Sequence, residues 1–179
     1  PEKARATVLE LLIGDQPTHH YAHDKSSHLW KTAKSEGIET SRFPMTDAAQ
    51  IPLLDNSHVA MNVNLDACIH CNLCVRACRE VQVNDVIGMA FRGSHAEIVF
   101  DINDPMGESS CVACGECVQA CPTGALMPAN EVGLIETDKK VDSVCPYCGV
   151  GCLLTYHVKG EKLLQVEGRN GPANNGRLC

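Results

Sequence analysis

Cysteine spacing constrains this chain more than any other feature. Twelve cysteines stand in three sets of four: Cys68, Cys71, Cys74 and Cys78; Cys111, Cys114, Cys117 and Cys121; and Cys145, Cys148, Cys152 and Cys179. The first two sets share the spacing C-x2-C-x2-C-x3-C, and every position of the second lies 43 residues after its counterpart. The fillers follow the same rule, since Val75 and Ala77 recur as Val118 and Ala120. A repeat at this register predicts one local structure used twice. The cysteines must also help fill the interior, because aromatic residues make up only 4% of the 179 and Trp30 is the single tryptophan.

Three kinds of chemistry use cysteines at this density. Disulfides suit short secreted domains, but the chain opens Pro1-Glu2-Lys3-Ala4-Arg5 without the apolar run of a secretory signal. Zinc usually joins two separated Cys-x2-Cys knuckles or mixes in histidines. Three cysteines at successive three-residue steps instead suit one loop wrapped around a cubane. Cys111 to Pro122 matches the bacterial ferredoxin signature for [4Fe–4S] in full. The first run has Arg79 where that signature has proline, a position that stops a helix and is not a ligand. Two-cluster ferredoxins exchange the fourth cysteine of each run. By that rule one cluster takes Cys68, Cys71, Cys74 and Cys121, and the other Cys111, Cys114, Cys117 and Cys78. A short helix from about Val75, with Cys74 and Cys78 on one face, would carry Cys78 across.

The third set differs. Cys145-Pro-Tyr-Cys148-Gly-Val-Gly-Cys152 gives C-x2-C-x3-C, and Cys179 follows much later. Leu153–Val158 and Lys162–Val166 read as a hairpin about Lys159-Gly160-Glu161. A loop rich in Asn and Gly then returns Cys179 to the other three. A third [4Fe–4S] cluster is the expectation, with zinc as the rival.

Charge and hydropathy narrow the class. Fifteen Lys and Arg stand against 22 Asp and Glu, a formal charge of −7, which argues against a nucleic-acid partner. No run approaches eighteen apolar residues, so no membrane-spanning helix is expected. A cytoplasmic location is expected, and the absence of an initiator methionine hints at a piece of a longer protein.

The Cys145–Cys152 run with Cys179 resembles the N-terminal [4Fe–4S] segment of the molybdenum or tungsten bis-pterin oxidoreductases. Residues 64–130 resemble the ferredoxin-like segment in the catalytic subunit of NAD-dependent formate dehydrogenases. Arg76-Ala77-Cys78-Arg79-Glu80-Val81-Gln82, Cys111-Val112-Ala113-Cys114-Gly115-Glu116-Cys117 and Cys121-Pro122-Thr123-Gly124-Ala125-Leu126 carry that likeness. The resemblance implies three [4Fe–4S] clusters here and a Mo/W bis-pterin guanine dinucleotide centre downstream. It also implies a flavin/NAD diaphorase partner with its [2Fe–2S] subunit. No residue within the 179 is expected to convert substrate. A free-standing polyferredoxin, or an iron–sulfur subunit of a related hydrogenase or NADH dehydrogenase, is the alternative.

The expected fold is α+β: a two-cluster ferredoxin-like module, then a small β-rich [4Fe–4S] module of the bis-pterin oxidoreductase type. The expected boundaries are an N-terminal segment at 1–63, the two-cluster domain at 64–126, a linker at 127–143 and the third module at 144–179. Helices are predicted at Lys3–Ile13 and about Ser27–Glu36, with Trp30 inward. Residues 41–60 read as a surface loop, and Val86–Phe91 with Glu97–Asp101 as a hairpin about Gly93-Ser94. Relatives in the NADH dehydrogenase line carry a His-plus-three-Cys motif near the N-terminus. Here that stretch has no cysteine but keeps His19, His20, His23 and His28, which more often sit on surface loops than on a metal. His70 and His95 read as surface groups beside the ligand runs. Arg76, Arg79 and Arg177 are placed to moderate cluster charge.

Overall fold

A computed structural model describes residues 2–43, 52–129 and 136–179. The chain divides into two compact units, Pro1–Asn130 and Glu131–Cys179. No described helix is long and apolar enough to cross a membrane.

The first unit starts with α1 (Glu2–Gly14) and α2 (His28–Ser35). Ser27 caps α2 by accepting the Trp30 N–H on its hydroxyl, the role short hydroxyl side chains fill at helix starts. Ile13, Trp30 and Ala33 form a small core between these helices, with Ala22 and Ile38 against it. Part of the loop expected at 41–60, residues 44–51, lies outside the described residues.

The two cysteine runs are held by short elements. Strand β1 (Met61–Val63) pairs antiparallel with β4 (Leu126–Pro128), so the chain enters and leaves the repeat side by side. Between them come α3 (Leu73–Arg76), the hairpin β2 (Ile87–Ala90) with β3 (Glu97–Phe100), and α4 (Glu116–Ala120). The predicted helix does carry Cys74 and Cys78, but it starts at Leu73 and widens into a π turn over Ala77–Val81. Such turns cluster where a helix must re-aim a functional side chain. The core of this unit is built partly of the cysteines: Cys74, Cys78 and Cys117 are buried among Met61, Val63, Ile87, Phe100, Met106 and Leu126.

In the second unit β5 (Lys139–Val144), β6 (Leu153–Lys159) and β7 (Lys162–Gly168) form an antiparallel sheet in sequence order. The stretch read as a connection, 127–143, thus holds the end of β4 and most of β5. Strand β5 is an exposed edge strand opening on two lysines. Such edges are polar by need, which is why its sequence does not read as a strand.

Candidate metal centres

The repeat in sequence is a repeat in backbone. His70 and Ala113 both adopt the left-handed conformation, at φ 54° and 58°, and so do Asn72 and Gly115, at 61° and 75°. Each pair is separated by the 43-residue offset. The left-handed residues turn each loop back on itself, so that the N–H of His70 donates to Cys68 Sγ at 3.5 Å and that of Ala113 to Cys111 Sγ at 3.4 Å. Asn72 and Gly115 then stand at the N-termini of α3 and α4. Asn and Gly are the residues that bear this conformation at least cost.

The structure brings the cysteines together across the repeat. Cys68, Cys71, Cys74 and Cys121 line one cavity, closed by Ile98, Thr123 and Leu126. On the other side Cys111 and Cys117 feel Cys114, and Cys78 is among the charges acting on Cys111. Burial first, then the neighbouring thiolates, pushes the thiols of Cys74 and Cys117 up to about 12. Burial likewise raises Cys68 and Cys111, each partly relieved by the N–H on its sulfur. Thiols in such a setting ionise together only around a cation. Among the described residues no three His, Cys, Asp or Glu side chains converge as on a single metal ion. The four cysteines that line one cavity match the donor set of a [4Fe–4S] cluster.

Further contacts reach the sulfurs from outside the C-x2-C runs. The N–H of Val86 donates to Cys78 Sγ at 3.3 Å, Asn84 Nδ2 lies 3.9 Å from Cys114 Sγ, and Thr123 Oγ1 lies 3.6 Å from Cys121 Sγ. Sequence reasoning passed over Asn84 and Val86, because nothing in their spacing marks them. Arg76 and Arg79 pair with Glu80 and Asp85, so their charge is shared with carboxylates. His70 and His95 are exposed and line an open cleft beside Cys68.

The four N-terminal histidines do not share a site. His23 Nε2 lies 2.9 and 3.0 Å from the two Asp66 oxygens. His19 meets Trp30 edge-on and His20 meets Tyr21 the same way, while the His28 carbonyl accepts from Thr32 within α2. The segment instead braces the neighbourhood of Cys68 and Cys121. The Leu29 N–H donates to Pro122 O at 2.9 Å, and a Cβ on Gly124 would meet the Asp24 backbone nitrogen at 2.9 Å.

In the second unit the third run is the connection between β5 and β6. Val144 pairs with Leu153, and the Cys145 N–H closes the loop on Cys152 O at 2.8 Å. Strand β7 ends where Gly168 pairs with Leu154, so the chain leaving it starts at the same end of the sheet. Asn174 fastens that return: its Oδ1 accepts from the Leu153 N–H, and its Nδ2 donates to Leu153 O and Arg177 O. Cys148 and Cys179 are exposed in this unit.

Comparison with known proteins agrees with this division. Residues 67–125 match the 4Fe-4S dicluster domain, and residues 138–179 match the molybdopterin oxidoreductase Fe4S4 domain. The chain thus carries two regions that match 4Fe-4S domain models, the second of them the molybdopterin oxidoreductase Fe4S4 domain. Among similar curated proteins is "Putative formate dehydrogenase" of Staphylococcus haemolyticus, 30% identical with 64% of this chain and 16% of that protein covered. Another is "Probable oxidoreductase YjgC" of Bacillus subtilis, 30% identical with 70% and 17% covered. The chain thus spans about a sixth of the length of these relatives. A chain of the NAD+-reducing [NiFe]-hydrogenase in the H2-reduced state shares the fold, with a TM-score of 0.63 at 23% identity, over 71% of this chain and 54% of that one.

Proposed function

We propose that this chain is the electron-transfer segment of a formate dehydrogenase. It would hold three [4Fe–4S] clusters between a formate-oxidising Mo/W bis-pterin centre and a flavin/NAD diaphorase partner with its [2Fe–2S] subunit. The shared cavity of Cys68, Cys71, Cys74 and Cys121 carries the reading, because it joins cysteines of both halves of the repeat. The clusters are assigned to those four, to Cys78, Cys111, Cys114 and Cys117, and to Cys145, Cys148, Cys152 and Cys179. A bound [4Fe–4S] cluster supplies reversible one-electron storage at a potential set by its surroundings. The chain's own part is to hold thiolates at fixed positions, to keep water from Cys74, Cys78 and Cys117, and to aim N–H donors at sulfur. The names of the relatives support formate as the electron source. The hydrogenase likeness supports a second reading, an iron–sulfur subunit of a hydrogenase-type assembly, through fold alone.

Iron content separates crossed from closed ligation. Cys78→Ala with Cys117→Ala removes two ligands of one crossed cluster, so roughly four irons are lost. If each run closed its own cluster, the same pair would disable two clusters and remove roughly eight, which sinks the assignment. The denatured mass of the native polypeptide then decides the larger reading. A mass several times 19.3 kDa with formate-dependent NAD reduction supports it, and a mass near 19.3 kDa leaves a free-standing carrier.

A further inference from the structure

The segment from Val83 to Val86 supplies no ligand, yet its backbone is strained. Val83 and Asp85 both take the left-handed conformation, at φ 57° and 55°, on either side of Asn84. For a β-branched residue this is an outlier, and Val83 is 78% exposed, so little packing offsets the cost. Strain of this kind persists where its surroundings impose it, and it clusters at functional sites.

Here it accompanies the placement of donors on one ligand set. The Asn84 N–H donates to Cys78 O at 3.0 Å, the Val86 N–H donates to Cys78 Sγ, and the Asn84 amide reaches toward Cys114 Sγ. Arg79, the residue after Cys78, holds the Asp85 carboxylate and so ties the segment down. The repeat makes the asymmetry plain. Each ligand loop contributes the same N–H donors, from His70 and Val75 in one and from Ala113 and Val118 in the other. Beyond those shared donors, among the described residues the other set gains the contact between the Thr123 hydroxyl and Cys121 Sγ. Hydrogen bonds to sulfur are among the levers that set a cluster's potential, and donors favour the state with more negative charge.

We propose that Val83–Val86 raises the reduction potential of the cluster assigned to Cys78, Cys111, Cys114 and Cys117, with Asn84 as the side chain that sets it. The electron then rests on that cluster in preference to its neighbour. The inference depends on the ligand sets proposed above.

The test is a redox titration followed by electron paramagnetic resonance on the full chain, prepared anaerobically with its iron complete. Asn84→Ala is expected to keep its iron, to lower one midpoint potential and to leave the others in place. Asn84→Gln, which retains an amide donor, is expected to recover part of the shift. Thr123→Val is expected to lower a different midpoint. An Asn84→Ala chain with full iron and unmoved potentials overturns the inference. So does one that loses iron while its remaining signals are unchanged, because Asn84 would then only support the fold. Failure of the ligand sets is read separately, from the iron lost in the Cys78 and Cys117 pair.

Discussion

Single residues in this chain are chosen for backbone conformation as much as for side chain. Asn72 and Gly115 suit the left-handed positions they hold, whereas Val83 does not. A left-handed residue of ordinary type costs about 1–2 kcal/mol, and asparagine bears it with less penalty. Val83→Asn is therefore expected to raise stability by about 1 kcal/mol, read as a higher melting temperature with unchanged iron. An unchanged or lower melting temperature would show that the strain is absent or offset. Asp55 illustrates the opposite case, a polar residue held by its surroundings. Burial pushes its pKa up, but the Ser57 side chain, the N–H groups of Met106 and Ser57, and the charge of His58 outweigh it and hold it below 3.8. A depressed carboxyl stabilises the fold above its unfolded pKa and loses that contribution as pH falls through the folded value. Asp55→Asn is expected to cost about 1–3 kcal/mol at pH 7. The deficit should narrow below about pH 3.8, the ordinary value, when denaturant unfolding of the two chains is compared. A deficit that stays constant with pH would assign the loss to packing.

At the scale of elements, the N-terminal segment is tied to the ligand runs by two close contacts, Leu29 on Pro122 and Gly124 against Asp24. Gly124→Val forces side-chain atoms into the Asp24 backbone and is expected to cost about 1–3 kcal/mol. Faster proteolysis within residues 15–28 would report the displaced segment, and an unchanged digestion pattern would refute the contact. These ties were not legible in the sequence. His19, His20, His23 and His28 drew attention as a cluster, but His19 meets Trp30 and Lys25, His20 meets Tyr21, His23 meets Asp66 and the His28 carbonyl meets Thr32, and the Asp66 contact spans 43 residues. Helices α1 and α2 and the two hairpins were legible because periodicity, caps and turn residues are local signals. Strand β5 was missed because an exposed lysine-rich edge looks like a linker, and β4 because its partner β1 lies far back in the chain. The cysteine runs were legible as a repeat, whereas the donors from Asn84 and Val86 were not, since they depend on how the chain returns after Cys78.

For the whole molecule, the proposed metal sites and the interior of the first unit are the same region. Cys74, Cys78 and Cys117 are core residues, and Cys111 and Cys121 pack against them. Without iron this core keeps buried thiols around empty space, with few aromatic residues to close it. Chelation under anaerobic conditions is therefore expected to abolish cooperative unfolding of the first unit, as structural metals are part of folding free energy. Retention of a sharp thermal transition in the iron-free chain would show that the apolar residues suffice. The cavity shared by Cys68, Cys71, Cys74 and Cys121 also has a consequence in time. During synthesis Cys121 follows Cys68 by 53 residues, so three walls of that cavity are made well before the fourth. A nascent chain that has displayed the whole first run still cannot close that cavity, and under the proposed ligand sets Cys78 would meanwhile wait for partners that have not been made. With the ligand sets proposed above, both sites of the repeat would become whole within the same few residues, so the machinery that delivers iron would meet two unfinished sites or two finished ones, and hardly ever one of each.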